Sequence, residues 1–342
     1  MGNKRLVVLA AAISGALVLS ACGGSDKSSG SESSGEGMKL GLIQEARLEV
    51  EPWSASWHDS VQAVIDDNPG TTVTETFDAY DATRAEPVIR QMLDDGANVM
   101  LMSTFVLADA AKAVAADYPD IPMIVTAFGV TQKPNLNAGT ASYLEIGYST
   151  CWLLTKQSPD GRIGVVGAQE APFEVEIQKG CELGAKAANP DYKITKLSTN
   201  SFTDVQASRE QVQTLLDQGI EQIYLLSGTE DAVGGLRLCE EAQAQCATWG
   251  GDAAQWAPNG TLLTVGLDWQ GVIEELMDQA ENGLKDPTTF DLTYGSKGLT
   301  ALDYADNPAV SDEVQAEFEQ VLADLASEKI KLSDSEAHPG LR

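Results

Sequence analysis

His58 and His338 are the only imidazoles in 342 residues, so a general base, a Ser-His-acid triad or a histidine-bound zinc would have to use one of them. His338 stands in the polar stretch Ser335-Glu336-Ala337-His338-Pro339, a poor place for catalysis. His58 precedes Asp59, and an extracellular hydrolase built on that pair is the one enzymatic reading the residues leave open. Phosphate chemistry has even less support. No Gly-x-Gly-x-x-Gly follows a strand pattern and no Gly-x-x-x-x-Gly-Lys-Ser/Thr occurs, while Gly180-Cys181-Glu182-Leu183-Gly184-Ala185-Lys186 falls inside a helical pattern. A Gly-x-Ser-x-Gly nucleophile elbow is also missing. Acidic pairs such as Asp66-Asp67, Asp94-Asp95 and Glu240-Glu241 are adjacent on helical patterns, where they face solvent. The inventory points to a binding protein rather than an enzyme, and it implies no cofactor and no metal.

The cysteines become informative through the N-terminus. Lys4 and Arg5 precede the uncharged run Leu6–Leu19, which ends in Leu19-Ser20-Ala21-Cys22. A charged region, a short apolar region and a small-residue cleavage site make a secretory signal over residues 1–21, too short to span a bilayer at about 20 residues per helix. The last four residues resemble a bacterial lipobox, which implies lipidation of Cys22. Residues 22–37, dominated by Gly and Ser, read as a flexible tether. Cys151, Cys181, Cys239 and Cys246 are then expected in an oxidising exterior. Four cysteines allow three pairings; Cys151–Cys181 with Cys239–Cys246 keeps each bridge local, and buried free thiols are the alternative.

The elements that must position any site alternate. Strand patterns occur at Leu40–Ile43, Thr72–Thr76, Val99–Met102, Met123–Thr126, Ile163–Val166, Ile194–Leu197, Ile223–Leu226 and Leu262–Val265, with helical periodicity between them. Such alternation calls for parallel sheets covered by helices. The chain also repeats itself: Leu93-Asp94-Asp95-Gly96 leads into one strand and Ser103-Thr104-Phe105, and 123 positions later Leu216-Asp217-Gln218-Gly219 leads into another and Ser227-Gly228-Thr229. Both glycines stand where a helix ends with φ > 0. Helical patterns resume at Ala108–Ala116 and Ala232–Ala244. Two equivalent α/β halves follow, and since ligands sit beyond the carboxyl ends of such strands, Ser103–Phe105 and Ser227–Asp231 should line one cleft.

Charge limits the partners. With 51 Asp and Glu against 22 Lys and Arg, the net charge is −29, and loss of residues 1–21 removes two bases and no acid, leaving −31. Nucleic acid is excluded for want of a basic footprint. Anionic lipid offers no attraction, so membrane attachment would rest on the lipidated Cys22 alone. Hydrophobic residues make up 43% of the chain, enough for a sizeable core.

Four stretches carry a family resemblance over about Lys39 to Leu332: Trp53-Ser54-Ala55-Ser56-Trp57 after the first strand; Ser103-Thr104-Phe105 with Asp109 and Ala115-Ala116-Asp117-Tyr118-Pro119-Asp120; Gly250-Gly251-Asp252 with Pro258 and Leu262-Leu263-Thr264; and the closing helix Glu313–Ile330 with Lys331. In order and spacing they resemble the basic membrane protein family of ABC-transporter substrate-binding lipoproteins, which includes purine nucleoside receptors. The resemblance implies a type I periplasmic-binding fold: two Rossmann-like lobes with parallel sheets, joined by three crossovers near Ala138–Gly147, Thr264–Asp268 and Asp286–Leu292. The lobes would be residues 38–143 with 265–288, and 144–264 with 289–342. It further implies a monomeric receptor that captures a nucleoside-like solute and delivers it to an ABC permease.

A nucleoside needs flat apolar faces for its base, and Trp53, Trp57, Phe105, Phe173 and Trp256 are the aromatic candidates. Asp109, Asp231 and Asp252 are the expected acceptors, with Ser54, Ser103, Thr104, Thr229 and Trp269 completing the set. The chain departs from the family pattern in three places. Glu45–Pro52 replaces an Asp-rich loop, Trp53-Ser54 replaces an aromatic-Asn pair, and Leu267-Asp268-Trp269 stands where many members have a lysine. A sugar-like or flavin-like ligand, or a sensor that reports to a membrane signalling partner, are therefore the alternatives.

Overall fold

A computed structural model describes residues 37–77 and 82–332. The expected signal segment, Cys22, most of the expected tether and His338 lie outside the described residues.

Five strands open the fold: β1 (Lys39–Ile43), β2 (Thr72–Thr76), β3 (Val99–Met102), β4 (Met123–Thr126) and β5 (Leu136–Ala141). The chain then builds β6 (Arg162–Gly167), β7 (Lys193–Ser198), β8 (Gln222–Leu225), β9 (Gln245–Gly250) and β10 (Thr261–Leu267), followed by β11 (Thr289–Leu292) and β12 (Leu299–Leu302). Two six-stranded sheets result, in the orders β11-β5-β4-β3-β1-β2 and β12-β10-β9-β8-β6-β7. Pairing is parallel apart from β10 with β12. Central strands are buried along their whole length, as in Val99-Met100-Leu101-Met102 and Thr261–Leu267, whereas the edge strands β2 and β7 are partly exposed. Parallel strands covered on both faces require such continuous apolar runs.

The helices between strands are α1 (Pro52–Asp67), α2 (Ala82–Asp94), α3 (Ala108–Asp117), α4 (Tyr143–Gln157), α5 (Pro172–Ala188), α6 (Val205–Asp217), α7 (Glu230–Ala242), α8 (Gln270–Asn282) and α9 (Asp312–Ala326). The repeat is real in three dimensions. After α2 and α6, Gly96 and Gly219 take φ of +96° and +71° and turn the chain into β3 and β8. The expected helix at Ala232–Ala244 starts and ends two residues early, because Gln245 onward pairs with β8 as β9, a strand the periodicity did not mark.

The chain passes from the first sheet to the second after β5, returns after β10 and crosses again after β11. Hydrogen bonding sets two limits differently from the expected lobe boundaries at 265 and 289. Pairing with β9 holds β10 in the second sheet as far as Gly266, and pairing with Ala138–Ala141 holds Thr289–Leu292 in the first.

Helices α4 and α5 pack backbone to backbone. A Cβ on Gly147, Gly180 or Gly184 would lie 2.0, 2.1 or 2.0 Å from the carbonyl oxygens of Ile177, Leu144 and Tyr148. Gly180 and Gly184 therefore serve helix packing and not phosphate. The Cys151–Cys181 disulfide closes the same seam, and Cys239–Cys246 ties α7 to β9.

Candidate functional site

A cavity of about 380 Å³ lies where the carboxyl ends of the two sheets meet. Its first wall comes from the carboxyl ends of β4 and β5 and the segments that follow β1, β3, β4 and β5: Glu45 and Trp53, Ser103-Thr104-Phe105, Thr126-Ala127-Phe128, and Gly139, Thr140 and Tyr143. The second wall comes from the segments after β6, β7 and β8 and from the end of β9: Gln169–Phe173, Phe202, Ser227, Thr229 and Trp249. Every strand end near the sheet centre contributes, which is the expectation for facing α/β lobes.

Aromatic rings dominate. Tyr143 meets Phe128, Phe173 and Trp249 at centroid distances of 5.8, 5.6 and 5.7 Å; Trp53 meets Trp249 at 5.7 Å and Phe173 meets Phe202 at 5.9 Å. The Trp249 contacts are edge to face, the favoured arrangement for ring quadrupoles. Both indole N–H groups are spent on backbone: Trp53 Nε1 donates to Ser103 O at 2.9 Å and Trp249 Nε1 to Leu226 O at 2.7 Å. The rings are thereby held in place and present only π surface to a ligand. Phe105, 54% exposed, is the one large hydrophobic side chain left open among the described residues.

The polar lining groups are carboxylates, an amide and hydroxyls without positive charge; neither Lys nor Arg lines the cavity. Burial pushes the Glu45 carboxyl up to about 7, opposed by the Thr104 hydroxyl that donates to it. Burial also raises the Tyr143 phenol. Behind Phe173, Glu174 accepts from the Ala168 N–H at 2.8 Å and is pushed up to about 8, burial again being the main cause. The hydroxyls of Ser103 and Thr126 are buried at the cavity with no hydrogen-bond partner.

Of the residues singled out from sequence, Trp53, Ser103, Thr104, Phe105, Phe173 and Thr229 line this cavity. The others stand elsewhere, each for a local reason. Trp57 and Trp269 stack on each other at 4.2 Å and are fully buried where α1 meets the start of α8. Ser54 is turned inward, donating to Glu51 and accepting from the Ala46 N–H. Asp109 sits exposed in the first turn of α3, where its charge suits the helix dipole. Asp252 caps the 3₁₀ turn Ala253–Gln255 by accepting from the Ala254 N–H at 2.8 Å. Trp256 donates its indole N–H to Glu49 O at 3.0 Å and packs in the core of the second lobe. Asp231 lies behind the wall, holding Ser227 and Thr229. His58 bonds Glu75 at 2.9 Å, and neither lines the cavity, so the hydrolytic pair with Asp59 has no access to it.

Sequence reasoning did not reach Glu45, Thr126, Phe128, Thr140, Tyr143, Gln169, Glu170, Phe202 and Trp249. A usable signal existed for some of them: Phe128 follows β4 as Phe105 follows β3, and the strand-end rule applied at β6 and β7 leads to Gln169 and Phe202. Trp249 was hidden with its strand.

Comparison with known proteins assigns this geometry to a group. The family described as ABC transporter substrate-binding protein, PnrA-like, matches residues 38–332. A Haloferax volcanii protein named as an ABC transporter glucose-binding protein is 24% identical over 300 residues, 86% of this chain and 75% of that protein. A purine-binding protein of Brucella abortus is 23% identical over 214 residues, so the chain spans only 60% of that relative's length. Basic membrane protein A1 of Borrelia garinii is 28% identical over 180 residues, about half of each chain. Among solved structures, an ABC transporter solute-binding protein from Conexibacter woesei superposes with a TM-score of 0.75 over 86% of this chain and 98% of its own, at 23% identity. The fold is that of the type I periplasmic-binding proteins.

Proposed function

The chain belongs to the family of PnrA-like ABC transporter substrate-binding proteins, and on that premise we propose that it captures a nucleoside-like solute between its lobes and delivers it to an ABC permease. One observation supports this reading above the rest: a cavity of about 380 Å³ with seven aromatic residues in its walls and no Lys or Arg. A neutral ring system can be stacked there at roughly 1–3 kcal/mol per base, while hydroxyls of an attached sugar have Glu45 and the threonines as acceptors. Affinity comes with closure, because a solute that touches both lobes stabilises only the closed arrangement. In this reading the protein works outside the cytoplasm, attached to the membrane through a lipidated Cys22, and acts as a monomer.

A sugar is the second reading, favoured by the relative named as glucose-binding. Aromatic faces can also pack against the C–H face of a pyranose. Isothermal titration with adenosine, guanosine, cytidine and D-glucose separates the two. Heat with at least one nucleoside is expected; heat with glucose alone would replace the nucleoside reading, and silence from all three nucleosides would sink it.

A further inference from the structure

Each wall of the cavity has a buried carboxylate bonded to hydroxyls that line it: Glu45, itself a lining group, in the first wall, and Asp231 behind the second. In the second lobe, Ser227 Oγ and Thr229 Oγ1 both donate to Asp231 Oδ1, at 2.7 and 2.9 Å, and Asp231 is 1% exposed. In the first lobe, Thr104 Oγ1 donates to Glu45. Thr104 and Ser227 are equivalent positions of the internal repeat, each the second residue after its strand, β3 or β8. We propose that Asp231 is a positioning residue for selectivity: by holding the protons of Ser227 and Thr229 it turns their oxygens toward the solute as acceptors, Glu45 does the same through Thr104, and the cleft selects solutes that donate hydrogen bonds while rejecting their phosphorylated or carboxylated forms.

A hydroxyl has one proton and two lone pairs. With that proton committed to a carboxylate, Thr229 can only accept from a ligand. Ser227 already accepts from the Thr229 N–H at 3.4 Å and Thr104 from the Val106 N–H at 3.3 Å, so each keeps one lone pair and no proton to offer. Burial acts to raise the Asp231 carboxyl, and the two hydroxyls oppose it, which ties its charge to their orientation. An N–H or O–H of the solute completes these acceptors. A phosphate or carboxylate oxygen would face acceptors on both walls, with Glu45 and Glu170 among the lining groups and no Lys or Arg to compensate. Desolvating an unpaired anion in such a site is costly. The inference rests on reading this cavity as the solute site.

The test compares the purified full chain with its Asp231→Asn and Thr229→Val variants by titration against two matched pairs, adenosine with adenosine 5′-monophosphate and D-glucose with D-glucuronate. The wild type is expected to bind the neutral member of a pair at least about tenfold more tightly than the anionic one, one lost hydrogen bond being of that order. Asp231→Asn removes the buried charge and so weakens the hold on both hydroxyl protons, and the neutral ligand should weaken about tenfold while the neutral-to-anion ratio narrows. Loss of packing alone would weaken both members equally and leave that ratio unchanged. Thr229→Val, which keeps Asp231, should reproduce the loss for the neutral ligand. An anionic member that binds the wild type as well as its neutral partner overturns the inference and leaves the transport reading intact, as does an unchanged ratio in Asp231→Asn. Binding within the hexose pair alone, with the neutral member favoured, supports the inference and discards the nucleoside; silence from all four probes overturns both.

Discussion

Replacing Glu174 by Gln should stabilise the protein in alkaline solution and leave it unchanged in acid. Glu174 is 2% exposed, and burial carries its carboxyl from 4.5 to about 8, with the Ala168 N–H pulling the other way and the Asp231 charge adding to the rise. Between those two pH values the folded protein holds a proton that the unfolded chain has released. Folding therefore takes up a proton, and stability falls as pH rises through that window. Once the group ionises, the accumulated cost to the folded state is about 5 kcal/mol at roughly 1.4 kcal/mol per pH unit. Glutamine keeps an oxygen to accept from Ala168 and has no proton to lose, so it escapes the cost. At about 2 °C per kcal/mol for a protein of this size, the variant should melt about 10 °C above the wild type at pH 9 and within a degree or two of it at pH 4.5. Thermal unfolding followed by circular dichroism at pH 4.5, 6, 7.5 and 9 gives the difference curve directly. Because both proteins share every other titrating group, the difference reports Glu174 together with its coupling to Asp231. Two melting curves that stay parallel across the whole range would refute the reasoning.

Other consequences are equally open to measurement. Phe105→Ala should weaken nucleoside binding roughly 5- to 150-fold, the value of one base stack, while leaving the melting temperature within about 1 °C because the ring is half exposed; calorimetry and melting on the same sample check both halves. Reducing the Cys151–Cys181 bridge by a double change to Ser should cost about 3–4 kcal/mol, the loop-closure value for a separation of 30 residues, read as a lower denaturant midpoint. Gly184→Val should disrupt the α4–α5 contact, since its first carbon would sit 2.0 Å from Tyr148 O, and a fall in soluble yield or melting temperature would show it. Raising NaCl from 0.01 to 1 M should raise the melting temperature by several degrees, because screening contracts from about 30 to 3 Å around a chain of net charge −29; no change would mean that surface repulsion is negligible.

The parts of the fold that were legible in the sequence are those whose information is local. Buried parallel strands such as Val99–Met102 read as unbroken apolar runs, the glycines after α2 and α6 marked turns with φ > 0, and the doubled Leu-x-x-Gly pattern exposed the two halves. Strands with mixed composition escaped: Gln245–Gly250 carries Gln, Thr and Gly, and becomes a strand because β8 and β10 flank it. The site divides in the same way. Ser103, Thr104, Phe105 and Thr229 line the cavity, as a rule about strand ends expects of their position along the chain. Trp57, Trp269 and Trp256 lie away from the cavity, because an aromatic beside a strand end can turn into the core or into the cleft, and the chain does not record which.

Residue order by itself determined the alternating architecture, the internal duplication, the acidic character and the shortage of imidazoles, because each is a property of composition or of short-range periodicity. The tertiary structure alone decided which aromatics meet across the cleft, that Asp231 stands behind Ser227 and Thr229 and does not line the cavity, and that Glu45 pairs with Thr104 across 59 positions of chain. Those outcomes depend on how two separately built sheets approach one another, and on which side chains are desolvated when they do. A side chain's burial, and with it the orientation of its hydroxyl proton or the ionisation of its carboxyl, is set by neighbours distant in sequence.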